Sequence, residues 1–276
     1  AIPLIRGGFR SRPLEAVLAE IRSLAAQGVE EIVLVAQDTS RFGVDRAGTS
    51  ELPELMARAA KIEGVRWLRV LYCYPDEVDG RLLEVMAAHP NICKYLDLPL
   101  QHADPALLRR MNRRGDMAAT RALLHKARAM GFILRTTFIV GFPGETDAQF
   151  EALMDFAREI RFDRMGAFAY SAEENTPAAA MPDQIPEETK QRRLDALMRL
   201  QADISREVGR RRVGTRCLCL VERVNADGVA VARSWAEAPE TDGVIYLTDC
   251  PGVQPGDWVD ARITRADEYD LWGVRA

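Results

Sequence analysis

The stretch Ile133-Leu134-Arg135-Thr136-Thr137-Phe138-Ile139-Val140-Gly141-Phe142-Pro143-Gly144-Glu145-Thr146 decides how the rest of the chain is read. Residues 133–140 are rich in β-branched and aromatic side chains and read as a buried strand. The Gly-Phe-Pro-Gly that follows breaks the strand, and the chain passes straight into a helix. Two glycines there remove side chains where a ligand could approach the backbone. Glu145 falls near the start of the helix, where free N–H groups and the helix dipole collect polar ligand groups. The same pattern also fits an ordinary βα turn with a capping acid.

Outward from this stretch, strands and helices alternate. After an irregular basic loop over residues 1–12 (Arg6, Arg10, Arg12), Leu14, Val17, Leu18, Ile21, Leu24 and Ala25 recur at helical spacing, and Gly28 ends the run. Strands are predicted at 31–36, 66–72, 95–98 and 164–169, with helices at 52–62, 77–87, 105–112, 118–130 and after Thr146. Such alternation gives a parallel sheet with right-handed crossovers, an α/β architecture. In these folds the ligand site forms at the C-terminal ends of the strands. The residues gathered there are Gln37, Asp38, Thr39, Tyr74, Gln101, His102, Gly141, Glu145, Tyr170 and Ser171. Residues 172–186 read as a loop, and Pro186 opens a long charged helix to about Val208. Leu194, Leu197, Met198 and Ile204 form its apolar side, and most of Lys190, Arg192, Arg193 and Arg199 are expected on its solvated face. From Arg212 the texture changes to short alternating strands (215–223, 229–233, 243–247, 258–264) with turns at Asn225-Ala226-Asp227-Gly228 and Gln254-Pro255-Gly256-Asp257, which suggests a small β-barrel. The domain division is drawn at 1–207 and 208–276.

Composition narrows the class. The 276 residues are 47% hydrophobic, with a net charge of −4, so the chain as a whole does not advertise a nucleic-acid partner. No apolar run reaches the ~18 residues that a membrane span requires. Five scattered cysteines suit a reducing cytoplasm better than a disulfide framework. Cys217 and Cys219 lie two apart on a strand, face the same side and have no Cys-x-x-Cys companion, so core packing is expected. His89, His102 and His125 are dispersed, and only His102 falls at the rim. A Schiff-base aldolase would need a desolvated lysine, but Lys61, Lys126 and Lys190 fall on helices and Lys94 precedes its strand.

Phe138 through Glu145 resembles the Gly-x-Ile-x-Gly-x-x-Gly-Glu strand of radical S-adenosylmethionine (SAM) enzymes, with Thr136 or Thr137 where that pattern has its first glycine. Ala1-Ile2-Pro3-Leu4-Ile5-Arg6-Gly7 through Ser11-Arg12-Pro13 is similar to the methylthiotransferases. Ala36-Gln37-Asp38-Thr39, Asp97-Leu98-Pro99-Leu100-Gln101-His102 and Asp267-Glu268-Tyr269-Asp270-Leu271-Trp272-Gly273 resemble the branch that modifies ribosomal protein S12. The resemblance runs nearly end to end. It implies a partial (β/α) radical SAM barrel followed by a small antiparallel, OB-like TRAM barrel. It also implies SAM and [4Fe-4S] clusters as cofactors. In such enzymes a reduced cluster cleaves SAM to a 5′-deoxyadenosyl radical, hydrogen is removed from an aspartate β-carbon, and sulfur and methyl are delivered. By the same resemblance Gln37, Asp38 and Thr39 hold the SAM amino-acid end, Gly141 lets the backbone approach, Glu145 shapes the loop, and Gln101, Arg135 and Tyr170 line the rim. The family's cluster motif, Cys-x-x-x-Cys-x-x-Cys, would fall just before Ala1. The chain is therefore expected to be a fragment, inactive alone, with none of its five cysteines replacing those ligands.

The choice of substrate turns on charge. Residues 213–276 hold six arginines, no lysine and eleven acidic residues, a balance of −5. Such a barrel suits a basic ribosomal protein better than an RNA backbone, so S12 is the expected partner and tRNA the less favoured one. A non-catalytic ribosome-binding fragment is the alternative of a different class.

Overall fold

A computed structural model of the chain describes residues 7–113 and 115–276. Of the basic loop expected at 1–12, the part up to Arg6 lies outside the described residues. The first domain runs α1 (Leu14–Ala26), β1 (Glu31–Leu34), α2 (Val44–Ala47), α3 (Leu52–Ala59), β2 (Trp67–Val70), α4 (Gly80–Ala88), β3 (Tyr95–Gln101), α5 (Pro105–Arg110), α6 (Met117–Ala129), β4 (Ile133–Val140), α7 (Asp147–Ile160) and β5 (Arg164–Ala169). Several helix starts carry side-chain caps. Asp79 accepts the Leu82 amide and Asp104 the Leu107 amide, and Thr146 with Gln149 forms a full capping box on α7.

The strands are parallel but do not form one uninterrupted ladder. β1 pairs with β2, and β3, β4 and β5 form a second sheet. The seam between them is closed by a bridge from Leu68 to Ile92 and by Asp97, whose carbonyl accepts the Cys73 amide at 2.9 Å and whose Oδ2 accepts the Tyr72 amide at 3.0 Å. β3 runs past the expected end at Leu98 to Gln101. Its register against β4 shifts between Leu98 and Gln101, where Pro99 has no N–H to give the ladder.

Burial along β4 alternates strictly, which a fully covered strand would not show. Leu134, Thr136, Phe138 and Val140 pack toward the helices, where the Phe138 ring meets Phe156 and Phe162 at centroid distances of 6.4 and 5.8 Å. Ile133, Arg135, Thr137 and Ile139 face the inner side, the first two toward residues of the second domain. The sheet is thus a half-barrel packed by helices on its outer face, with its inner face covered at the strand starts and open toward the strand ends.

A 3-10 turn at Pro177–Ala180 sits in the expected loop, and α8 (Glu187–Arg212) then runs past the boundary drawn at 207. The second domain is a closed barrel of β6 (Arg216–Val224), β7 (Ala230–Arg233), β8 (Ile245–Thr248), β9 (Trp258–Ala266) and β10 (Leu271–Arg275), in the order β10-β8-β7-β6-β9. Closure depends on β10, which starts in the quoted Asp267–Gly273 motif and runs past it, and its pairing with β8 is parallel, so the barrel is not wholly antiparallel. Cys219 and Cys250 are buried in its core. Cys217 packs beside them with its sulfur 3.7 Å from that of Cys219, in agreement with the packing role expected for this pair.

The barrel sits on the N-terminal halves of the parallel strands. Trp67 opens β2 and meets Trp258 edge-to-face at 4.6 Å, while the Trp258 indole donates to Glu30 at 2.5 Å. Arg69, fully buried, reaches Glu31 at 3.3 Å and the Trp235 carbonyl at 3.0 Å, and Arg233 bonds Glu31 from the other side at 2.7 Å. Tyr95 donates to Asp242 at 2.6 Å. Arg164 and Arg212 both clasp Glu237, which is 1% exposed. Burial opposes ionisation of Glu237, but the two guanidiniums outweigh it and hold the carboxyl down to about 2.

Candidate active site

The end of the half-barrel opposite this seam is the rim formed by the C-terminal strand ends. After β4 the chain turns at Gly141, whose φ of 72° lies in the left-handed region. Glu145 folds back across the turn. Its Oε2 accepts the amides of Gly141 and Phe142, the second at 3.2 Å, so an anion internal to the chain satisfies the two groups that follow the strand. Tyr170, the residue after β5, lies alongside. Its amide donates to the Val140 carbonyl at 2.8 Å, its ring meets Phe142 edge-on at 5.2 Å, and burial pushes its hydroxyl above the ordinary tyrosine range. That hydroxyl is buried with no hydrogen-bond partner. Val35, Tyr72 and Phe168 stand exposed, at 61%, 45% and 63%. A groove of about 380 Å³ runs between α1 and β1, lined by Val17, Ile21, Leu34, Val35, Phe42 and, toward the rim, Asp38 and Thr39.

Gly141, Glu145 and Tyr170 are brought together as expected, but the close approach at Gly141 is made from within the chain. A Cβ there would run into the aliphatic stem of Lys190 on α8. Gln37 is exposed and Asp38 half-buried. The Asp38 carboxyl is raised by burial, and it accepts the Ser40 hydroxyl at 2.5 Å. Thr39 is buried, its hydroxyl donating to the Leu71 carbonyl at 2.7 Å and its amide to the Tyr72 carbonyl at 2.9 Å, so it ties the β1 loop to the end of β2. Gln101 closes β3 with a φ of 70°, and Tyr72 has one of 59°. Two non-glycine residues in the left-handed region on one rim mark a backbone over-determined by its surroundings.

Arg135 does not lie at the rim. It is the third residue of β4 and points into the domain seam, with Nη1 2.8 Å from Asp97 and Nε 3.9 Å from Asp242. Burial works against its charge, yet Asp97 and Asp242 with the other groups around it together outweigh burial and raise its pKa. Lys190 and Arg193 are corrected in the opposite direction. They are 8% and 4% exposed, while Arg192 and Arg199 are solvated as expected. Lys190 lies with Nζ 5.5 Å from the centre of the Tyr170 ring, and Arg193 bonds the Glu145 carbonyl at 3.1 Å and Asp147 at 2.7 Å. A signal was present in their spacing. Positions 190, 193, 197, 201 and 204 fall on one helical face, and that face includes the apolar Leu197 and Ile204.

The family model of the Radical SAM superfamily matches residues 2–157, and that of the TRAM domain matches 213–275, the region of the closed barrel. A ribosomal protein uS12 methylthiotransferase RimO of Desulfitobacterium hafniense (strain Y51) is 51% identical over 99% of this chain and 62% of its own length. A protein of the same name from Desulforamulus reducens is 47% identical over 100% of this chain and 63% of its own length. The chain thus spans somewhat under two thirds of the length of these relatives. Among solved structures, coproporphyrinogen III oxidase (HemN) from Escherichia coli, described as a radical SAM enzyme, aligns over 95% of this chain and 64% of its own, with a TM-score of 0.52 at 17% identity, a likeness of fold alone. The superfamily's model covers more than half of the residues, and the chain belongs to the radical SAM superfamily.

Proposed function

We propose that this chain forms the half-barrel and TRAM portions of a cytoplasmic methylthiotransferase that modifies the β-carbon of an aspartate in ribosomal protein uS12. The observation that carries the proposal is identity to uS12 methylthiotransferases running through both domains rather than through the barrel alone.

SAM suits the rim. The unpartnered Tyr170 hydroxyl offers a hydrogen bond, the exposed Val35, Tyr72 and Phe168 offer apolar cover, and Gln37 and Asp38 offer polar groups on the facing lip. When bound, SAM supplies the adenosyl and methyl groups. The chain's own part is to orient it between the β1 loop and the Gly141 turn and to shield the reacting carbon from water. A [4Fe-4S] cluster does not fit the residues at hand. Cys73 and Cys93 are buried in the first domain, Cys217, Cys219 and Cys250 belong to the second, and the described residues hold no group of three or more His, Cys, Asp or Glu able to share a metal ion. Anaerobic reconstitution of the 276-residue chain with iron and sulfide is expected to give no stable cluster absorbance. A stoichiometric, SAM-responsive cluster would contradict this.

The partner is read from charge. Glu237 and Asp242 are engaged in the domain seam and Glu268 and Asp270 are half-buried, which leaves the second domain seven exposed acids against five exposed arginines, a smaller excess than the sequence count. That excess still favours a basic protein. One observation favours RNA instead: Arg265 lies 3.7 Å over the Trp272 ring, which in turn stacks on Tyr246, a basic and aromatic ladder on the outside of the barrel. Binding of uS12 and of tRNA to the chain, compared across a salt series, separates the two. We expect uS12 to bind and tRNA to bind weakly. Tight tRNA binding that falls steeply with salt would reverse the assignment.

A further inference from the structure

We propose that Arg193 and His102 are positioning residues for Glu145, setting the shape of the Gly141 turn before a ligand reaches it; the functional meaning rests on the proposal that this turn faces the cofactor. Glu145 is 2% exposed. Its Oε2 is taken up by the two amides of the turn, whereas Oε1 is buried without a hydrogen bond. Two donors face that oxygen from different elements: Arg193 Nη1 of α8 at 3.5 Å and His102 Nε2, just after β3, at 3.9 Å. His102 is fully buried, and its Nδ1 accepts the Asp104 amide at 3.0 Å. A neutral ring with that bond carries its proton on Nε2, the nitrogen facing Glu145. Arg193 also bonds the Glu145 carbonyl and the Asp147 carboxylate, so it spans the turn from its last residue to the first residue of α7.

The arrangement is more than a capped turn needs. A carboxylate that only satisfied two amides could stay in contact with water, whereas a buried one is costly unless opposite charge and donors compensate it. Here the compensation comes from outside the β4–α7 segment, and one of its sources is the helix that leads into the TRAM barrel. The cofactor-facing turn is therefore shaped by a residue on the connecting helix, while the Lys190 stem on the same helix fills the space over Gly141.

Two readouts on the 276-residue chain test this: hydrogen exchange of the Gly141 and Phe142 amides, and binding of SAM. Arg193→Met should speed exchange at those amides about ten-fold or more while peptides from the TRAM barrel stay unchanged, and Arg193→Lys should recover part of the protection, ten-fold corresponding to about 1.4 kcal/mol. His102→Gln should act in the same direction and less strongly. In a Glu145→Gln background, which keeps the shape but removes the charge, Arg193→Met should add little, because the charge it compensated is gone. Unchanged exchange in Arg193→Met, or strictly additive effects in the cycle with Glu145→Gln, would overturn the positioning role. If Arg193→Met does not fold, the same cycle with Arg193→Lys and His102→Gln decides. Lost protection with SAM affinity unchanged supports positioning and removes the cofactor-facing reading; lost protection with SAM binding weakened in parallel supports both.

Discussion

Glu237→Gln should lower the stability of the chain by about 3 kcal/mol at pH 7 and change it little near pH 2. The carboxyl is buried between Arg164 and Arg212 and held down to about 2 from an ordinary value of 4.5. A carboxyl with a depressed folded pKa stabilises fully above the unfolded value. That contribution fades as the pH drops from 4.5 toward 2, where the folded state too becomes protonated. The variant lacks the contribution at every pH, so its stability curve should be flatter through that acid window. The neutral amide also leaves two half-buried guanidiniums without their buried counter-charge, a loss related to the one that makes broken buried pairs costly. Urea denaturation at pH 7, 5 and 3.5 measures the effect. A constant gap between the two proteins across that range would mean that shape rather than charge holds the seam.

Gly141→Ala comes second in size, with an expected cost of roughly 2–4 kcal/mol. Two separate penalties add. A φ of 72° strains any residue with a Cβ, and the new methyl would meet the Lys190 stem. They can be divided by a second substitution. Gly141→Ala combined with Lys190→Ala removes the overlap with Cγ and Cδ but leaves a tight contact to the Lys190 Cβ and the backbone strain, so about 1–2 kcal/mol or more of the cost should persist. Thermal melts of the single and double variants read this directly. Full recovery in the double variant would show that the turn tolerates a side chain and that the glycine serves only the docking of α8.

Much of the fold was legible because periodicity encodes it. β5 falls at Arg164–Ala169 as predicted, and the burial of Leu197 and Ile204 follows from their spacing on the long helix. The strand–turn–helix at Gly141 and the return of Glu145 and Tyr170 to one place were also available from sequence. What was not legible depends on which face a side chain takes within a half-open barrel. Arg135 sits on the strand that ends at the rim, but its position near the strand's start directs it to Asp97 and Asp242, and Asp242 comes from the other domain. Lys190 and Arg193 carry charges that usually face solvent, and it takes the Glu145 carbonyl and carboxylate and the Asp147 carboxylate, all far upstream, to explain why Arg193 is buried. β10 was missed as a strand because its Leu-Trp-Gly-Val run is short and follows an acidic turn, and the barrel requires it only once the other strands curl. The gap between β2 and β3 has no sequence signature, since an aspartate side chain and loop carbonyls replace the missing ladder.

The lattice of Arg69, Arg164, Arg212 and Arg233 with Glu31, Glu237 and Asp242 has a practical meaning for anyone recombining such proteins. Arg164 of the N-terminal lobe finds its acids, Glu237 and Asp242, in the other lobe, and Arg233 of that lobe reaches back to Glu31. A chimera that grafts a foreign C-terminal lobe onto this N-terminal one inherits stranded guanidiniums unless the matching acids travel with it. The two halves should therefore be exchangeable between orthologues as co-selected sets of positions rather than as free-standing cassettes.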